Sequence, residues 1–103
     1  MQNRVLSMLG LAAKAGKVVS GEFSVEKAVK TNKAFLVIVA EDASDNTKKM
    51  FTNMCTFYEV PFYFYGNKET LGNAIGKETR ASVGLLDTGF SDAIVKKIKT
   101  EQE

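Results

Sequence analysis

The chain has 103 residues, 45% hydrophobic and 25% charged, the balance of one ordinary globular domain that can bury a core without disulfides or metals. It holds no histidine and one cysteine, Cys55, which excludes Cys-His zinc clusters, Ser-His-Asp and Cys-His nucleophilic pairs, and any internal disulfide. The formal charge of +2 hides a bias: residues 1–33 carry Arg4, Lys14, Lys17, Lys27, Lys30 and Lys33 against only Glu22 and Glu26, whereas 34–59 are net acidic and 60–103 balanced.

In chain order, Val5, Leu6, Leu9, Ala12 and Ala13 form one helical stripe, and Gly16 is a C-terminal stop. Lys14 and Lys17 stand where a signal peptide would have a neutral cleavage site, so this segment reads as a helix of the mature fold and the cytoplasm as the expected location. No apolar run approaches the roughly 20 residues that cross a bilayer. Lys17 to Ser20 reads as a short strand, and a second helix follows Gly21 with Val25, Ala28 and Val29 on its apolar face. The run Phe35 to Ala40 is continuous and β-branched, the mark of a strand buried on both faces.

Ser44 caps a third helix that buries Met50, Phe51, Met54 and Tyr58. Cys55 lies in that stripe, so a buried thiol is favoured over a reactive one. Pro61 opens the strand Phe62 to Tyr65, Asn67 caps a short helix burying Leu71, Ala74 and Ile75, and Val83 to Leu86 is the last strand. Ser91 then caps a final helix with Ile94, Val95 and Ile98 inward. Apolar strands alternating with amphipathic helices predict an α/β fold: a single domain over residues 1–103, a three-layer α/β/α sandwich with a central mixed sheet.

Three groups carry candidate chemistry. On the second helix, Phe23, Lys27 and Lys30 form a stripe opposite the apolar face. An exposed ring among lysines, near free backbone N–H donors, suits nucleic acid; the alternative folds Phe23 back as a hydrophobic staple. The segment Gly76-Lys77-Glu78-Thr79-Arg80-Ala81 offers a flexible glycine and two cations after a helix. Glu41-Asp42, at the end of the apolar Phe35–Ala40 run, could bind a metal or accept from base edges, or be a solvated turn. Neither a G-x-x-x-x-G-K-[ST] loop nor G-x-G-x-x-G is present, which argues against phosphate-transfer chemistry.

The segments GLAAKAGKVVSGEFSVEKAVKTNKAFLVIVAED and YGNKETLGNAIGKETRASVGLLDTGFSDAI carry a resemblance to a known family. They resemble the kink-turn-binding ribosomal protein superfamily, of the L-seven-Ae and L-thirty-e type, over roughly Val5 to Ile98. The second segment is similar to the thirty-e branch, with its GN-x-x-x-LG-x-A-x-GK-x-x-R pattern closing on D-x-G-x-SD-I. The resemblance implies a non-catalytic protein that grips a sharply bent RNA containing tandem sheared G·A pairs.

By position it also implies the contacts. Gly21 is the family's glycine at the start of the second helix, Lys27 its phosphate- and base-contacting lysine, and Glu41 its strand-end glutamate. Glu22, Phe23 and Ser24 lie in the turn that enters the groove, with Lys30 further along. Gly76, Lys77, Glu78, Arg80 and Ala81 form the loop that covers the bulged nucleotides. One departure stands out: where family members read the G·A pairs with Asn-Glu or Lys-Gln, this chain has Phe23-Ser24. The expected partner is RNA, a kink-turn with ribosomal RNA among the candidates, bound by a monomer without membrane, metal or cofactor. The alternative is a protein–protein adaptor of the same fold.

Overall fold

The computed structural model describes residues 3–102 and has nine elements in the expected order. They are α1 (Arg4–Lys14), β1 (Val18–Ser20), α2 (Glu22–Lys30), β2 (Leu36–Val39), α3 (Asp45–Phe57), β3 (Phe62–Phe64), α4 (Lys68–Ala74), β4 (Ser82–Leu85) and α5 (Thr88–Gln102). The sheet runs β1-β4-β2-β3 and is mixed: β4 is antiparallel to β1 and β2, and β2 is parallel to β3. The α/β/α sandwich is therefore realised, with α2 and α3 packed together and α1 packed on α4 and α5. A Cβ built on Gly84 of β4 would point at Val25, so even-numbered β4 positions face the α2–α3 layer.

The central strands β2 and β4 are buried at every position, as a run without polar alternation requires. The edge strands β1 and β3 have three residues each, which limits the unpaired ladder they present. Leu9, Leu36, Ile38, Phe51, Leu71, Leu85, Ile94 and Ile98 are fully buried between the layers, each worth roughly 1.5–3 kcal/mol of transfer free energy.

Helix ends follow from local chemistry. Asn3 caps α1 through Leu6 N–H, Ser44 caps α3 through Thr47 N–H, and Asn67 forms a reciprocal capping box with Thr70 on α4. At the C-terminus of α1, Gly16 N–H donates to Ala13 O and Lys17 N–H to Ala12 O, with Gly16 at φ +72°. That left-handed residue is the stop expected from the sequence.

Several expectations change. Phe35, expected inside the buried strand run, is 44% exposed and precedes β2, and Ala74, Ile75 and Val95, expected inward, are half-buried. The final helix is capped by Asp87, whose Oδ2 accepts from Phe90 N–H at 2.9 Å, and Ser91 lies buried inside the first turn with its hydroxyl donating to Asp87 O. Aspartate caps as well as serine does, and the earlier of two suitable residues takes the role here. On α3 the fully buried positions are Phe51 and Cys55, while Met50, Met54 and Tyr58 are only half-buried. Cys55 is a core thiol, and burial pushes its pKa up to about 11.

Candidate nucleic-acid interface

Strand direction brings the three candidate groups to one edge of the sheet. β1, β2 and β3 all end where β4 begins, because β4 alone runs the other way. Hydrogen bonds lock the neighbours together across that edge. Gly21 N–H donates to Ser82 O at 3.0 Å, Ala40 N–H to Ala81 O at 2.8 Å, and Glu41 N–H to Gly66 O at 2.8 Å. The start of α2, the end of the 76–81 loop and the strand-end Glu41 therefore lie side by side.

Gly21 precedes α2 at φ +90°, and no side chain caps the helix there. Among the described residues no side chain accepts from the first-turn N–H groups of α2, a site for an anion or a base edge. Val25, Ala28 and Val29 bury the inner face. Phe23 is consequently turned outward and is 80% exposed, which rules out the staple arrangement. With Glu26, Lys27, Lys30 and Thr31 it lines a shallow outer groove. Lys30 Nζ is 3.6 Å from Glu26 Oε2, a weak i,i+4 surface pair, so Lys27 is the groove's cation without an ion-pair partner among the described residues. Glu22 and Ser24 are exposed beside Phe23.

The loop after α4 folds back along its own helix. Gly76, at φ +78°, turns the chain, Lys77 N–H donates to Gly72 O, and Arg80 N–H returns to Lys68 O at 3.0 Å. The seat for this return is Gly72: a Cβ there would lie 2.4 Å from Glu78 O and 2.8 Å from Thr79 Cα. Only the absence of a side chain lets the loop backbone lie on the helix at that point. Lys77 and Glu78 project into solvent, Ala81 is half-buried at the sheet edge, and Arg80 is half-buried. Arg80 Nε–H donates to Ser20 Oγ at 3.0 Å and Nη1 to Thr79 O at 2.7 Å.

The Glu41-Asp42 pair divides its labour. Asp42 Oδ1 accepts from Lys68 N–H at 2.9 Å, so it helps hold the start of α4. Glu41 is exposed at the strand end. Behind it, Tyr65 bonds Glu101 Oε2 at 2.6 Å and Asn3, tying β3 to both terminal helices; burial and then the Glu101 carboxylate push its pKa upward. Among the described residues no group of three or more acidic, cysteine or histidine residues is placed to hold a metal.

Sequence reasoning gave no role to Ser20 or Gly72, and it weighed Asp42 as a ligand or a solvated turn rather than as the acceptor that holds the start of α4. Asp42 and Ser20 act across 26 and 60 positions of sequence, beyond the reach of any local capping pattern. Gly72 left a signal, a glycine within an otherwise helical pattern, whose usual meaning is close backbone approach.

The chain is similar to known proteins. Residues 3–95 match the model of the ribosomal protein L7Ae/L30e/S12e/Gadd45 family. The chain is 44% identical over 88 residues to the RNA-binding protein YlxQ of Bacillus subtilis, covering 85% of this chain and 88% of that protein. A solved structure from Bacillus halodurans C, of a protein with unknown function, superposes with a TM-score of 0.92 at 41% identity, covering 95% and 99% of the two chains. The Giardia lamblia 15.5kD RNA binding protein shares the fold at a TM-score of 0.78 and 23% identity, over 92% of this chain and 82% of its own.

Proposed function

Because the chain belongs to the ribosomal protein L7Ae/L30e/S12e/Gadd45 family, we propose that it is a non-catalytic RNA-binding protein recognising a kink-turn or a related structured RNA. The observation that carries this reading is the convergence of an uncapped α2 start bearing the exposed Phe23 with the 76–81 loop at one sheet edge. Phosphates meet the first-turn amides of α2 and the Lys27 ammonium; bulged nucleotides lie under Gly76, Lys77, Glu78, Arg80 and Ala81. Glu41 accepts from base edges between the two jaws. Phe23 packs or stacks on a base at the groove, with Ser24 as a short donor beside it and Lys30 adding charge along the helix. The protein acts as a monomeric single domain in the cytoplasm, near ribosomes or structured RNA, and needs neither metal nor cofactor.

Phe23-Ser24 stands where family members keep a pair that reads the two guanine edges. Each missing bidentate contact removes about 1–3 kcal/mol of discrimination. Binding is therefore weaker or less selective than with an Asn-Glu pair. Titration of a kink-turn RNA, and of the same RNA with its G·A pairs replaced by Watson–Crick pairs, tests this directly. The first must bind more tightly; equal affinity for both sinks the selective reading.

A second reading, the protein–protein adaptor, draws on the Phe23 stripe and on the groove beside it, which shares Glu26 and Lys30 with the groove that Phe23 lines. Met50, Met54, Tyr58 and the 78% exposed Phe57 line an apolar groove between α2 and α3. Salt separates the two: RNA affinity falls steeply with ionic strength, and adaptor binding through such a groove does not.

A further inference from the structure

We infer that Ser20, which lies outside every RNA contact named above, is a positioning residue that holds the covering loop in register with the start of α2 through Arg80. The inference rests on the RNA-binding reading and deepens it. Ser20 is the last residue of β1 and immediately precedes Gly21, the residue before α2. Its hydroxyl oxygen accepts from Arg80 Nε–H at 3.0 Å across 60 positions of sequence. The other hydrogen bonds of Arg80 among the described residues run from Nη1 to Thr79 O and from its backbone N–H to Lys68 O at the start of α4. The Ser20 bond is thus the one side-chain hydrogen bond among the described residues that joins the loop to the β1–α2 corner.

The chemistry gives this bond a second consequence. A guanidinium has five N–H donors in a rigid plane, and a donor fixed at Nε fixes the direction of the rest. With Nε on Ser20 and one Nη1 hydrogen on Thr79, the remaining donors keep a set orientation, ready for a phosphate. A loop and an arginine ordered before RNA arrives need not be ordered on binding, and affinity rises accordingly. Replacing the hydroxyl leaves the charge of the site untouched and frees both the loop and the fork.

The test compares Ser20→Ala, Ser20→Thr, Arg80→Ala and the double variant Ser20→Ala/Arg80→Ala in titrations with the kink-turn RNA. Ser20→Ala weakens binding about three- to tenfold. Ser20→Thr, which keeps the hydroxyl, restores most of it, and the double variant binds no worse than Arg80→Ala alone. Additive losses in the cycle, or Ser20→Ala binding as wild type does, overturn the inference. Hydrogen exchange on the free proteins carries the tether independently: the Arg80 and Gly21 amides exchange several-fold faster in Ser20→Ala, and unchanged exchange overturns it. If the wild type binds neither RNA, the RNA-binding reading falls, and the exchange comparison still decides whether Ser20 holds the loop.

Discussion

Replacing Gly72 by alanine sets two physical effects against each other, and the structure says which wins. Gly72 lies inside α4, where alanine normally gains about 1 kcal/mol over glycine from helix propensity. Against that, the new Cβ would stand 2.4 Å from Glu78 O, 2.7 Å from Glu78 C and 2.8 Å from Thr79 Cα, where real Cβ atoms essentially never come within 3.0 Å. The obstacle is backbone, so no rotamer change relieves it. The loop must retreat by about 0.6 Å or more, and overpacking of this kind costs typically about 1–3 kcal/mol. The return bonds that hold the loop, Lys77 N–H to Gly72 O and Arg80 N–H to Lys68 O, stretch with it. The expected net result is a loss of up to about 2 kcal/mol, or up to roughly 10 °C in Tm for a domain of this size. Urea unfolding gives the free energy, and RNA titration gives a further loss of affinity under conditions where the variant is fully folded. A Gly72→Ala protein more stable than wild type refutes the reasoning, because helix propensity would then have outweighed the clash.

Three other substitutions probe the site and the core. Phe23→Ala removes an 80% exposed ring, so stability changes by less than about 0.5 kcal/mol while RNA affinity drops by about 1–3 kcal/mol. A lowered Tm with unchanged affinity contradicts the outward role of the ring. Lys27→Ala weakens binding to all RNA sequences alike and flattens the plot of log affinity against log salt by about 0.7–0.9, and an unaltered slope removes Lys27 from the phosphate contacts. Cys55 ionises more readily in the unfolded chain, at 9.0, than in the fold, at about 11, so its favourable burial is intact below pH 9 and is lost as pH rises through 11. The stability gap between wild type and Cys55→Ala therefore narrows between pH 9 and 11, by up to about 1.4 kcal/mol per pH unit, and a constant gap in chemical denaturation contradicts it.

Periodicity carried the fold well because each element obeys its own local rule. Of the apolar run Phe35–Ala40, Leu36–Val39 became a strand buried at every position while Phe35 is exposed, and Val25, Ala28 and Val29 became the inner face of α2. Ser91 misled because cap preference ranks aspartate and serine together, and only the chain path decides that Asp87 comes first. For Phe23 the helical wheel left two outcomes, since a ring at a helix start can fold back or point out. The packing of α2 against β1 and β4 chose the outward one. The convergence of Gly21, Ala81 and Glu41 was not legible from spacing, because it depends on the antiparallel insertion of β4 between β1 and β2. The tether from Arg80 to Ser20 depends on that same insertion.

On the proposed reading, Phe23-Ser24 in place of an edge-reading pair separates two quantities that usually move together. A bidentate contact to a guanine edge contributes about 1–3 kcal/mol and discriminates between bases. Stacking of a base on an aromatic ring contributes a similar 1–3 kcal/mol and discriminates little, because every base has a face. A site that trades the first for the second keeps much of its affinity and loses selectivity. Reversing the trade is the sharpest check. Phe23→Asn with Ser24→Glu should leave the affinity for the kink-turn RNA within about tenfold of wild type, since one term replaces another of like size. The same variant should widen the ratio of affinities between that RNA and its G·A-replaced control by at least about fivefold, the smaller end of one regained edge contact. Both residues are exposed, so the fold tolerates the change and the ratio reports recognition alone. If the ratio stays where the wild type has it, selectivity does not reside at positions 23 and 24, and the covering loop rather than the start of α2 distinguishes one RNA from another.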